Sequence, residues 1–382
     1  MSSEEVIMKT FKAQLPILIV FFLSACGPVR FSTQDHSGTD GTGVAAGGGA
    51  GPGGTTSTLT RDVNFSNIVS PPNNKLDMLL IIDNSNSMLA DNQKLAAKLS
   101  TFVTDLKNSQ IDWQMCVTVT SQLTVSGTPK WGASVLWSNY VPPAGVSNWV
   151  LKPGATNLSS IFSDTINSIG AGWSGTDDER GIKAAWWHLW NGDTRYSGNS
   201  GCYRNDAALS MILISDEDER SVGGVQADQY YANEYKPLET DDLPATLTGQ
   251  VQDIFGVSKR FSFNSIITKP DDTQCMATQD AGGSKSHYGR KYSELSTMTA
   301  GGIGSICAAD FSSSLNYFKD VIQTSINSFP LECTPYQNHV SFKVNGAVNT
   351  NYHLTLQGMS ATFTPGLPAG VRLDMTYKCL VN

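Results

Sequence analysis

The segment Asp83-Asn84-Ser85-Asn86-Ser87 sets a carboxylate and two hydroxyls on alternate residues. These are hard oxygen donors, and hard oxygen suits Mg²⁺, Ca²⁺ or Mn²⁺ rather than soft metals. One carboxylate with neutral hydroxyls under-neutralises a divalent ion, which then keeps waters and stays electrophilic. The five-residue pattern is common by chance, and either serine alone would serve as a helix N-cap. Its surroundings favour the metal. A second carboxylate, Asp216, ends another apolar run, Leu209–Ile214, and opens the acidic stretch Asp216-Glu217-Asp218-Glu219. Glu217, Asp218 and Glu219 read as a solvated acidic loop.

Positioning such oxygens requires rigid elements. Leu76–Ile82 is almost continuously apolar, as expected of a strand covered on both faces in a parallel sheet. After the Asp83 segment, Leu95, Leu99, Phe102, Val103 and Leu106 recur at helical spacing. Further strands are predicted at Trp113–Val119, Leu209–Ile214, Phe261–Thr268 and Ile303–Cys307. Helices are predicted near Asn157–Ile169, Glu179–Trp190 and Ser312–Ile326. Strands alternating with helices predict an α/β doubly wound, mainly parallel sheet, with binding loops at the carboxyl ends of its strands. The stretches Gln122–Val150, Arg220–Asp242 and Lys269–Gly302 read as loops able to carry recognition. Ile182, Trp186, Leu189 and Trp190 read as a packed helix face. From about Leu331 the period changes to two, in Val340/Phe342/Val344, Tyr352/Leu354/Leu356 and Val371/Leu373/Met375/Tyr377. This predicts a small antiparallel all-β C-terminal domain over 330–382.

Asp83, Ser85 and Ser87, between a buried strand and an amphipathic helix, resemble the first motif of the metal-ion-dependent adhesion site of von Willebrand factor A (VWA) domains. The resemblance covers about Lys75–Phe329, and a VWA-like domain is expected over 75–329. It implies two more ligands. Thr176, in Gly175-Thr176-Asp177-Asp178 ahead of a helix, takes the family's threonine role, and Asp216 its aspartate role. Asp178 and Asp218 stand close enough in sequence to compete with these ligands or supplement them. Mg²⁺ is the first expectation, with Ca²⁺ and Mn²⁺ as alternatives. The family's binding mode implies a protein partner whose acidic side chain completes the coordination sphere. The phrase Asn205–Glu219 is also similar to lipoproteins of predatory and social bacteria that carry this domain.

Other chemistries find less support. A haloacid-type phosphatase needs a second acid where Ser85 stands. There is no Gly-x-Ser-x-Gly elbow, and Gly282-Gly283-Ser284-Lys285-Ser286 lacks a phosphate-loop Gly-Lys pair. No base for a metal-assisted hydrolase can be nominated, and the chain is not expected to be an enzyme. A structural envelope protein with an unused metal site is the alternative, and a hydrolase ranks behind it. The five histidines are scattered without ligand spacing. A net charge of −8 with no basic stripe argues against nucleic acid.

The first 25 residues read as an export signal. Lys9 and Lys12 precede an apolar run, Leu15–Leu23, too short to span a bilayer. Glu4 and Glu5 fit such a leader poorly, which makes Met8 a candidate start. Leu23-Ser24-Ala25-Cys26 resembles the bacterial lipobox, implying lipidation at Cys26 and a membrane anchor. Gly27 after the cysteine points to the outer membrane by Gram-negative sorting rules. Residues 26–74 read as a flexible linker, since eight of the fourteen residues Gly41–Gly54 are glycine. Six cysteines remain: Cys116, Cys202, Cys275, Cys307, Cys333 and Cys379. An even number in an exported chain suggests disulfides, with fifteen pairings open. Local placement favours 116–202, 275–307 and 333–379, with Cys116 as a buried free thiol the competing reading.

Overall fold

The computed structural model describes residues 59–69, 75–108, 111–171, 178–192, 201–229, 235–282, 285–326, 328–368 and 370–381. The expected signal peptide, Cys26, most of the 26–74 linker and Thr176 lie outside the described residues.

In chain order the strands and helices are β1 (Thr60–Ile68), β2 (Lys75–Ile82), α1 (Leu89–Asn108), β3 (Asp112–Val119), β4 (Leu123–Val125), β5 (Thr128–Lys130), α2 (Leu158–Ala171), α3 (Gly181–Gly192), β6 (Ala208–Ser215), α4 (Pro244–Phe255), β7 (Phe261–Ile267), α5 (Thr273–Asp280), α6 (Arg290–Met298), β8 (Ile303–Ser305), α7 (Ser312–Ile326), β9 (Ser328–Pro330), β10 (Val340–Val344), β11 (His353–Gln357), β12 (Ser360–Thr364) and β13 (Arg372–Leu380).

Five strands form one parallel sheet in the order β3-β2-β6-β7-β8. Period-two alternation along β2 feeds two cores. Met78, Leu80 and Ile82 pack with α1, α2 and α7 on one face. Leu79 and Ile81 pack with α3, α4 and α6 on the other. Covering both faces is why the strand reads as unbroken apolar sequence. The chain order reverses direction at β2, between β3 and β6. Such a switch point leaves a crevice at the carboxyl ends of the strands, where Asp83 and Asp216 lie.

The C-terminal region is all β and antiparallel. Strands β1, β13 and β10 make one sheet and β11, β12 and β9 another. The two share a core that includes Val63, Phe363, Leu373, Met375 and Tyr377. Two expectations are corrected here. Part of the predicted linker is strand β1, paired from Thr60↔Leu380 to Ile68↔Arg372, because Val63 and Phe65 have an apolar sheet to cover. The predicted loop Lys269–Gly302 contains α5 and α6, and α6 buries Tyr292 and Leu295. Gly358, at φ +54°, lets the β11–β12 turn press on the end of α6: a Cβ there would lie 2.4 Å from the Thr297 carbonyl oxygen.

Three disulfides join Cys116–Cys202, Cys275–Cys307 and Cys333–Cys379. Cys116 is therefore bonded, tying β3 to the segment before β6. Starting the chain at Lys75 should leave the helical circular-dichroism signal largely intact but open 328–381 to protease. Cys333→Ala with Cys379→Ala should destabilise the same region by about 2–4 kcal/mol in denaturant titration. A tail that resists protease without β1 would contradict the pairing.

Candidate metal centre

Asp83 directly follows β2 and Asp216 directly follows β6, and Ile82 and Ile214 are in register on these adjacent strands. The ladder runs one step further, since Asp83 N–H donates to the Ile214 carbonyl at 3.1 Å. Both carboxylates therefore emerge at one end of the sheet, and both residues are 0% exposed. Ser215 Oγ donates to Asp83 Oδ2 at 2.6 Å, and Ser85 N–H to Asp83 Oδ1 at 2.8 Å. Ser85 Oγ and Ser87 Oγ are 2.8 Å apart, and Ser87 Oγ donates to Asp216 Oδ1 at 3.1 Å. Asp83, Ser85, Ser87 and Asp216 thus form one chain of oxygens. Ser85 is the N-cap of a short 3₁₀ turn but makes no capping bond with its side chain, so its hydroxyl is not used as a cap. Asn92 Nδ2 donates to the Asp83 carbonyl at 3.0 Å, tying the loop to α1.

Glu179, just before α3, is a buried acid with no sequence signal of its own. Thr120 Oγ1 donates to its Oε2. Glu179 Oε1 and Asp216 Oδ2 are buried with no hydrogen-bond partner among the described residues. Burial raises the pKa of Asp83. Burial, then the Asp83 charge, holds Asp216 well above the usual range. Burial, then Asp83 and Glu217, does the same for Glu179. Among the described residues no lysine or arginine forms an ion pair with these three acids. Buried charge without a counter-charge is costly. The unpartnered Asp216 Oδ2, on the carboxylate that accepts from the half-buried Ser87 hydroxyl, fits a hard divalent cation.

The acidic stretch differs from its expected role. Glu217, Asp218 and Glu219 are buried, because two of them serve helix N-termini. Glu219 accepts Ile182 N–H at 2.8 Å and Lys183 N–H at 3.1 Å, in the first turn of α3. Asp218 accepts Lys291 N–H at 2.9 Å, in the first turn of α6. A carboxylate there meets free N–H groups and the positive end of the helix dipole. Asp178 is ion-paired with Arg220 at 3.0 Å, whereas Asp218 Oδ2, like Asp216 Oδ2, is buried with no hydrogen-bond partner among the described residues.

A second acidic group, Glu239, Asp241 and Asp242, brings its carboxylate oxygens within 4.8 Å of one another. Here the counter-charges are in place. Arg180 Nε donates to Asp242 Oδ1 at 2.8 Å, Lys183 Nζ lies 2.5 Å from Glu239, and Trp187 Nε1 donates to Asp241 at 2.8 Å. This network fixes the start of α3, and with it Glu179. Trp186 and Trp190 stack at 5.5 Å on α3, and Ile182 and Leu189 are buried. His188 is buried between Ser134 Oγ and Tyr203 OH, with its pKa lowered to about 3 by burial.

No protein-family model matches the chain, and no curated protein matches it. Among solved structures, the pilus adhesin SpaC from Lactobacillus rhamnosus GG is similar at 12% identity and a TM-score of 0.36, over 86% of this chain and 42% of that one. Proximal thread matrix protein 1 from the mussel byssus is similar at 10% and 0.32, over 69% and 48%. The human COPII-coat protein Sec24c is similar at 9% and 0.36, over 84% and 42%. The chain thus spans less than half the length of each. The doubly wound fold rests on the strand order and the two core faces described above.

Stability should follow the raised carboxylate pKa values. The folded state binds more protons than the unfolded state from about pH 4 upward, and Asp218, pushed to about 7 by burial, extends this window to neutral pH. Without divalent metal the melting temperature should therefore fall as pH rises through that window. Excess Mg²⁺ should reduce the fall. Asp216→Asn should flatten the metal-free profile and remove the Mg²⁺ response. Identical profiles with Mg²⁺ and with EDTA would contradict the assignment.

Arg180→Ala should destabilise the fold by about 3–5 kcal/mol, since it strands the fully buried Asp242 carboxylate. Thermal or denaturant unfolding measures this, and a loss below about 1 kcal/mol would show that the network is dispensable.

Proposed function

We propose that this chain is a metal-dependent protein-binding module that captures an acidic side chain of its partner. The observation that carries this reading is the set of buried, uncompensated acids Asp83, Asp216 and Glu179 beneath the half-exposed hydroxyls of Ser85 and Ser87. Asp83 and Asp216 would hold the cation from the floor and the two hydroxyls from the rim. Thr176 is the family-implied fifth ligand. Mg²⁺ is the first candidate, with Ca²⁺ and Mn²⁺ as alternatives. A bound divalent ion would supply an electrophilic position for an anionic oxygen. Ser215 and the Ser85 N–H keep Asp83 oriented, and Asn92 keeps its loop closed. None of these groups is a base placed to activate water, so capture without turnover is the better use of the site.

On this reading the chain is a lipoprotein anchored at Cys26 in a bacterial outer membrane, and the linker that follows lets the domain reach its partner. Nucleic acid is not a partner.

A pull-down from envelope extract, in Mg²⁺ and in EDTA, tests the proposal. The wild-type chain should retain a partner in Mg²⁺, and EDTA or Asp83→Ala should reduce retention at least tenfold. Retention unaffected by both would refute the metal's role. Metal-dependent turnover in an esterase and phosphatase panel, lost in Asp83→Ala, would replace binding by hydrolysis.

A further inference from the structure

A groove of about 610 Å³ opens beside the cation loop, and Asn84 forms part of its wall. Asn84 stands between Asp83 and Ser85, and its Oδ1 accepts from Ser121 Oγ at 2.9 Å. Two residues beyond Ser121 begins the β4–β5 hairpin, paired Val125↔Thr128 across Ser126-Gly127. Both turn residues have positive φ, 51° and 80°, as a tight two-residue hairpin turn requires. This hairpin, the end of α2 at Ile169 and the segment carrying Val135 line the groove, and Val135 N–H donates to the Val117 carbonyl of β3 at 2.8 Å. Two large apolar side chains of the groove are exposed, Leu136 at 52% and Val125 at 37%. Lys130 stands on the rim.

We propose that this groove is the specificity site for the captured partner: it takes a large apolar side chain lying a few residues from the acidic residue that reaches the cation. The inference rests on the metal-dependent reading above. Three features select this occupant. Asn84 belongs both to the cation loop and to the groove, so a partner seated on the cation passes the groove mouth. The rim lysine complements an acidic segment. The apolar walls lose solvent-exposed area only if the segment carries an apolar side chain to insert. An acidic peptide lacking such a residue would bind through the cation alone.

The test uses the Mg²⁺-loaded full chain and a displayed library of peptides with one fixed glutamate and random neighbours. Selected peptides should carry Leu, Met or Phe at a constant spacing from the glutamate. Their affinity should fall about tenfold or more on Leu136→Asp or Val125→Asp, and more weakly on Lys130→Glu. All three side chains are exposed, so the variants should keep the wild-type melting temperature and Mg²⁺ response. Mg²⁺-dependent peptides with no apolar preference, or with affinity unchanged in Leu136→Asp and Val125→Asp, would overturn the groove and leave the cation reading standing. Peptides that bind equally in EDTA and to Asp83→Ala would overturn the cation reading. Failure to select any peptide would overturn both.

Discussion

Three carboxylates held out of water at one end of a parallel sheet set the terms for the rest of this structure. Burial raises the pKa of Asp83, Asp216 and Glu179, the Asp83 charge adds to the shift of the other two, and no lysine or arginine among the described residues forms an ion pair with them. Such an arrangement opposes folding unless protons or a cation neutralise it. The fold accepts that burden through the apolar sheet beneath. Strand β2 is buried on both faces, and its neighbours β3 and β6 clamp it along its whole length. The site therefore stands at the end of a strand paired on both sides, which holds its oxygens in place.

The surrounding charges sort by whether they are answered. Asp242, also fully buried, has Arg180 against it, and Glu239 has Lys183. Glu219 and Asp218 are answered by helix N-termini instead of side chains. These pairings all brace α3 or α6 at the same end of the sheet. Asp83 and Asp216, just after the two strands flanking the switch point, and Glu179 have no lysine or arginine ion-paired with them among the described residues, and hydroxyl and backbone donors orient them instead.

Legibility in sequence followed the physics of each element. Leu76–Ile82 and Leu209–Ile214 were readable because strands buried on both faces have no polar side to show. Asp83, Ser85, Ser87 and Asp216 were readable because they stop those runs abruptly. Glu179 was hidden in Asp177-Asp178-Glu179-Arg180, which looks like solvated charge, and its burial depends on Thr120, fifty-nine residues away in sequence. The acidic stretch after Asp216 misled for the same reason: the helix termini that receive Asp218 and Glu219 come from distant segments. Strand β1 reads as linker because its inward residues are few and its partner, β13, lies at the opposite end of the chain.

The β1–β13 pairing joins the two ends of the described chain. The β region is closed by strands from both sides of the α/β domain, with β1 before it and β9 to β13 after it. Neither flank completes the antiparallel core alone, so the α/β domain is inserted into a sandwich instead of following one. Force applied at the site reaches Asp83, then β2, and continues by the shortest covalent route into β1. Nine register pairs bind β1 to β13, and Cys379 on β13 is bonded to Cys333. A pull on β1 is thereby opposed by hydrogen bonds along a whole strand, and its partner β13 is held by a covalent cross-link.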